Sequence, residues 1–247
     1  MGYIKIDKFG DSVISLFIHK PYNFKRDSVS EEEIKSQFKK IEKEINYNLR
    51  KVIRPHQSHT NVVKIINEDN IDEELYDVDG VITNLKGVAL TTSVADCQGI
   101  LLYDKKNNVI GNIHSGWRGT LSRISTNAIN LMKETFNSSP SDIEVYISPC
   151  IHKCSFEVDE DLKNDFEKEF NDIDITDIII KGEIKEDKQK YFIDTVELNK
   201  RVLINLGIKK ENIESSELCS VCNSELIHSY RNDKPNDGRN ITLICIK

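Results

Sequence analysis

Apolar residues in this chain recur at two spacings, and the way the spacings interleave predicts strands and helices mixed along its length. Near the start, YIKID and SVISLFIH alternate loosely about Lys8-Phe9-Gly10-Asp11, which predicts an antiparallel hairpin. Beyond Pro21 the pattern changes. Ser30 and Glu33 form a capping box, and Ile34, Phe38, Ile41, Ile45 and Leu49 follow at helical intervals. TNVVKII, VDGVITN, GVALTTS, GILLYD and NVIGNIH are rich in β-branched residues and read as strands. TLSRISTNAINLMKETF then reads as one helix with Ile124, Ala128, Leu131 and Phe136 roughly on one face.

IEVYIS predicts a strand entering a turn at Pro149, and VDEDLKNDFEKEF a helix with Val158, Leu162, Phe166 and Phe170 four apart. DIDITDIII and KYFID are strand candidates, TVELNKRVLINLG a helix closing at Gly207, and ITLICIK a last strand. No repeat or Pro/Ser linker divides the sequence. The expectation is a single domain over residues 1–247, an α/β protein of the α+β type with mixed or paired sheets flanked by helices in a layered sandwich.

With 247 residues, 38% of them hydrophobic, a sizeable core is available. A formal net charge of −7 disfavours a polyanionic partner, so nucleic acid is not expected. Charges interrupt the apolar residues of MGYIKIDKFGDSVISLFIHK, so neither a signal core nor a membrane span is predicted and the cytoplasm is the expected location. In a reducing compartment the six cysteines serve packing, metal binding or catalysis.

Cys97 and His114 each follow a predicted strand, and His59 lies just before another. If the three converge, one thiolate and two imidazoles hold zinc on three sides and leave a fourth for water or substrate. Singly, such residues are more often a buried small hydrophobe and hydrogen-bonded histidines. HSGWRG shifts the balance. Its two glycines bracket Trp117 and Arg118 between strand and helix, a turn that aims backbone N–H groups and an arginine fork at an anion. The plainer reading makes Trp117 a hydrophobic plug and pairs Arg118 with a surface carboxylate. CSVC (Cys219 to Cys222) has metal-ligand spacing but no second such pair, and CIHKC (Cys150, His152, Cys154) places alternate residues on one side of an extended segment. Both are expected to be structural. Arg231 and Arg239 flank a Pro/Asn/Asp/Gly turn, a solvated loop unless it folds over an anion site.

HQSHTNVV, DVDGVIT, ADCQGILLY, HSGWRG, SPCIHKCSFEV, CSVCNS and SYRNDKPNDGR occur in one order, and from about His56 onward the chain resembles the laccase-domain proteins, first labelled polyphenol oxidases and regarded as zinc-dependent purine nucleoside enzymes. The resemblance implies zinc held by His59, Cys97 and His114, with copper as an alternative loading. It implies phosphorolysis of adenosine, inosine, guanosine or methylthioadenosine, and deamination of adenosine by a metal-activated water. Asp96 joins the three ligands as a catalytic candidate, orienting a ligand or moving a proton. Gln57, Arg118, Arg231 and Arg239 are the candidate substrate and phosphate contacts. The expected partners are nucleosides and phosphate, with the chain a monomer or small homo-oligomer. Thr60, Gly99 and Ser148 stand where the family usually has Gly, Pro and Gly, and RDSVSEEEIKSQF occupies the place of the family's Gly-Asp and Asn-Arg elements. Three other readings are an amidase acting on peptidoglycan precursors through the same zinc, a copper oxidase, and a metal-stabilised binding protein without turnover.

Overall fold

The computed structural model describes residues 2–247. The opening hairpin is β1 (Tyr3–Lys5) and β2 (Val13–Ile18), followed by helix α1 (Glu31–Glu44). Six strands come next: β3 (Lys51–Ile53), β4 (Val63–Ile65), β5 (Gly80–Thr83), β6 (Val88–Val94), β7 (Gln98–Asp104) and β8 (Val109–Ser115). Helices α2 (Trp117–Leu121) and α3 (Ile124–Phe136) lead to β9 (Ile143–Ile147) and β10 (Glu157–Asp159). The rest is α4 (Glu160–Glu169), β11 (Ile179–Lys185), β12 (Lys188–Ile193), α5 (Thr195–Asn205), β13 (Ile213–Ser215), α6 (Tyr230–Asp233) and β14 (Asn240–Ile246).

The strands form three sheets. One has the order β1-β2-β14-β6-β3, the second β13-β9-β7-β8-β5-β4, and a small third β10-β12-β11. The two large sheets share a core: Val13 and Phe17, Val88, Leu90 and Val94, and Ile244 and Ile246 meet Val81, Leu101, Tyr103 and Ile110. The alternate residues of the same strands face outward. Ile14, Leu16, Ile18, Ile241 and Leu243 take the apolar stripe Ile34, Phe38 and Ile41 of α1. On the far side Ile100, Leu102, Ile113, Val145 and Ile147 are covered by Ile124, Ala128, Ile129 and Met132 of α3 and by Val196 and Leu203 of α5. The result is four layers, helix, sheet, sheet, helix. Strands inside it are apolar on both faces, which is why their sequences run nearly unbroken in Val, Ile and Leu rather than alternating with charges.

The expected mixed-sheet sandwich is therefore the observed architecture, with differences in detail. Ser30 caps α1 as read, its side chain accepting from the Glu33 N–H, but the helix stops at Glu44 and leaves Leu49 beyond it. The helix expected over TLSRISTNAINLMKETF is two, broken at Arg123, whose backbone is left-handed (φ 56°) and whose guanidinium is fixed by Glu169 and Asp172. The buried face of α3 runs through Ile129 and Met132, leaving Leu131 and Phe136 at its edge. Val158 belongs to β10 rather than α4, and only the end of DIDITDIII enters a strand. The three-residue strands β3, β10 and β13 were too short to show a period.

Two of the loop-shaping departures compensate one another. Gly99 has the N–H that a proline would lack, and that buried N–H donates to Ser148 Oγ at 3.0 Å, while the Ser148 N–H donates to the Gly99 carbonyl at 2.9 Å. Gly99 also needs its size: a Cβ there would lie 2.4 Å from Thr242 Cγ2. Ser148→Ala is accordingly expected to orphan the Gly99 N–H and destabilise the protein by about 1–3 kcal/mol in denaturant melts. An unchanged midpoint would show that the departures are independent.

Candidate metal centre and its cleft

The site begins with a buried carboxylate. Asp79, wholly buried just ahead of β5, accepts hydrogen bonds from three successive backbone N–H groups, those of Ser58 (3.2 Å), His59 (3.1 Å) and Thr60 (2.8 Å), and from the Thr60 hydroxyl (2.8 Å). His59 sits in the left-handed region (φ 64°), a costly conformation for a histidine, and these contacts hold it there. Thr60, standing where the family usually has glycine, contributes two of the donors. Gln57 fastens the same loop from its other end: its amide donates to the Ser93 carbonyl at 3.0 Å and accepts from the Ser93 N–H at 2.7 Å, docking the loop onto β6.

Asp79 also accepts from His114 Nδ1 at 2.7 Å, which fixes that ring with Nε2 as its free nitrogen. His114 lies inside β8, not after it, and is almost wholly buried, whereas Cys97 lies in the turn between β6 and β7 and is part-exposed. One donor atom each from His59, Cys97 and His114 lies within 4.8 Å of the others, with Cys97 Sγ 3.9 Å from His59 Nε2 and the two imidazoles edge-to-face at 4.9 Å. Burial disfavours charge on Cys97 and on His114, yet their mutual attraction prevails. The imidazoles of His114 and His59 hold the thiol down to about 6, while the Cys97 thiolate and Asp79 push His114 up to about 9. Gly116 completes the cradle through absence of bulk, since a Cβ there would come 2.9 Å from Cys97 Sγ and 3.0 Å from His59 Cδ2. Two nitrogens and a thiolate, one imidazole fixed by a carboxylate and one side left open, fit a zinc ion of the catalytic kind.

Around this centre lies a cleft of about 1050 Å³. Six cationic side chains line it: Lys25, Arg26, Arg118, Arg231, Lys234 and Arg239. Of the acidic residues there, Glu157 and Asp159 are paired with Lys185 and Lys190 from outside the lining, so the cleft is more positive than the chain as a whole. Arg118 lies 3.9 Å over the Trp117 ring and, among the described residues, has no carboxylate partner. The surface ion pair of the plainer reading is not formed, although Trp117 does pack against the apolar cluster over α4. Arg231 donates to the carbonyls of Ser155 (3.1 Å) and Glu157 (3.4 Å), and Arg239 is paired with Asp237 at 2.5 Å.

Asp96 stands beside the ligands but does not orient an imidazole; Asp79 has that task. The Asp96 carboxylate accepts from the Ser220 hydroxyl and the Arg231 N–H, both at 2.6 Å, and so ties the C-terminal loop to the turn carrying Cys97. Asp79 was within DVDGVIT, but nothing local distinguishes a buried organising aspartate from a turn residue. Lys25 and Arg26 bring the poorly matching N-terminal segment into the cleft. Cys154 of CIHKC comes together with Cys219 and Cys222 of CSVC as a second group of side chains able to hold a metal.

Asp237 gives a pH test. Burial would raise its pKa, but Arg239 and Lys25 hold it down to about 2. The folded value is below that of an unfolded aspartate, so the carboxylate stabilises the fold above about pH 4 and loses this effect as the pH falls toward 2. Asp237→Asn is expected to remove about 2 kcal/mol of the acid-side loss of stability, measured by urea melts between pH 5 and 2; an unchanged acid limb would show that the pair is inert.

Fold and centre together give a two-sheet sandwich carrying a Cys-His-His group able to hold a soft metal, and the chain belongs to the family described as "multi-copper polyphenol oxidoreductase laccase", which it matches over residues 22–247. That match begins ahead of the His56 boundary read from motifs. A purine nucleoside phosphorylase from Clostridium acetobutylicum is 31% identical over the full length of both chains. Another, from Bacteroides thetaiotaomicron, is 34% identical over 70% of this chain and 63% of its own length. An adenosine deaminase from an unknown prokaryotic organism is 30% identical over 83% of this chain and 78% of its own. The crystal structure of YlmD from Geobacillus stearothermophilus shares the fold, with a TM-score of 0.88 and 21% identity over 100% of this chain and 97% of that one. No helix among the described residues is long and apolar enough to cross a membrane.

Proposed function

We propose that this chain is a zinc-dependent purine nucleoside phosphorylase that also deaminates adenosine, with residues 1–247 acting as one domain. The observation that carries the reading is the convergence of His59, Cys97 and His114 on one wall of a cleft that also presents Arg118, Arg231 and Lys234, which among the described residues have no carboxylate partner. One relative named a purine nucleoside phosphorylase and another named an adenosine deaminase support it. Zinc held by the three side chains supplies Lewis acidity at the substrate. The purine lies against Trp117, Phe156 and Tyr230, whose rings offer flat apolar contact. Arg118 and Arg231 bind phosphate and steady its charge as it approaches ribose C1′, because their guanidinium charges are not neutralised by a carboxylate; Arg239 is committed to Asp237. Gln57 acts on substrate through the loop it docks, and Asp96 by holding the Arg231 backbone over the site.

A copper oxidase role is disfavoured by the donor set, since one thiolate and two imidazoles do not supply the several imidazole pairs that multicopper oxygen chemistry uses. A cytoplasmic location, where Cys97 stays reduced, goes with the proposal. The test is a product assay on adenosine, inosine, guanosine and methylthioadenosine with and without phosphate. Phosphate-dependent release of free base, with Arg118→Ala raising the KM for phosphate about 10- to 100-fold, is the expected result. No conversion of any nucleoside by zinc-loaded protein would overturn it, and release of amide-linked fragments from peptidoglycan precursors would replace it.

A further inference from the structure

We propose that Cys154, Cys219 and Cys222 form a second zinc site, a structural one, that clamps together the two segments walling the cleft. The three sulfurs lie within 4.8 Å of one another, and those of Cys154 and Cys222 are 3.7 Å apart. Around a zinc ion with Zn–S bonds of about 2.3 Å, tetrahedral geometry sets sulfurs about 3.8 Å apart. The Ser155 hydroxyl oxygen lies 3.6 Å from Cys154 Sγ, 3.6 Å from Cys219 Sγ and 3.7 Å from Cys222 Sγ. Equidistance from all three sulfurs is the position of a fourth tetrahedral corner. Three sulfurs and an oxygen thus lie at spacings compatible with a tetrahedral donor set.

Packing alone does not explain the group. Cys154 and Cys222 are exposed, where a small hydrophobe stabilises little. On binding zinc the three thiols release their protons to solvent and no electrons are transferred.

The segments so joined carry the cleft. Phe156, Glu157 and Val158 lie just beyond Cys154 and Ser155, Tyr230 and Arg231 lie downstream of Cys222, and Arg231 reaches back to the carbonyls of Ser155 and Glu157. The isolated bridge between Cys150 and Cys219 and the Ser220 N–H on the Cys150 carbonyl hold the same two segments together from beneath. A metal at the thiolates pins them from above.

The test is zinc stoichiometry on the whole chain purified under reductant, followed by cobalt substitution. Cys97→Ala is expected to retain about one equivalent of zinc, and its Co²⁺ form to show intense thiolate-to-metal absorption with tetrahedral d–d bands. Cys154→Ser and Cys222→Ser introduced into Cys97→Ala should abolish both, with circular dichroism checking the fold. Absence of zinc or of sulfur-to-cobalt absorption in folded Cys97→Ala overturns the site. So does retention of zinc by the folded serine variants, or a Cys154–Cys222 disulfide, two hydrogens lighter, in reduced preparations. None of these readouts depends on nucleoside turnover.

Discussion

Cys97→Ala, assayed with adenosine and phosphate, is expected to lose turnover by a factor on the order of a thousand or more, together with the zinc held at the cleft. The thiolate is the only anionic member of the His59–Cys97–His114 group, and without it two imidazoles alone face the ion. Cys97 is part-exposed in a turn at the rim of the sheets, so removal of its sulfur leaves the cores between and outside the sheets untouched and the variant should fold. Metal analysis and product release need to be measured on one preparation. Full turnover with one equivalent of zinc lost would detach the chemistry from the metal at the cleft, and full turnover with the zinc content of the unsubstituted protein would remove Cys97 from the site.

Asp79→Ala is the second large expectation, and its effect divides between affinity and stability. Five donors converge on this carboxylate: three consecutive backbone N–H groups, a hydroxyl and an imidazole. Alanine leaves the three N–H groups and the imidazole without this acceptor, while the Thr60 hydroxyl keeps the Asp77 carbonyl, and breaking such a buried charged arrangement costs about 3–5 kcal/mol. Zinc affinity should fall about 10- to 100-fold even where the variant remains folded, because His59 is released from its left-handed conformation and His114 from its fixed tautomer. Thermal melts report the first effect and chelator competition the second. Asp79→Asn keeps the size and part of the accepting capacity, so it should recover more stability than affinity. A folded alanine variant with unchanged affinity would show that the ligands orient themselves.

The sequence by itself determined the longer elements. Helix α1 follows from its cap at Ser30 and the four-residue spacing of Ile34, Phe38 and Ile41, and the long strands from their β-branched runs, because local propensity and burial agree there. The motifs around His59, Cys97 and His114 marked them as candidate ligands through a family resemblance, since residue types alone favoured the plainer reading. Tertiary structure decided everything that depends on residues distant in sequence. Asp79 became the organiser of the centre because β5 pairs with β8 and sets its carboxylate against His114, a relation across 35 positions. Gly116 acquired its purpose from Cys97 and His59, and Ser148 from Gly99, neither of which a local reading contains. CSVC by itself offers two thiols, and Cys154 of CIHKC joins them only when the segments fold against each other across 68 positions. Spacing along a chain records periodic burial, whereas a site is a convergence in space, and only the packing of sheets fixes which ends meet.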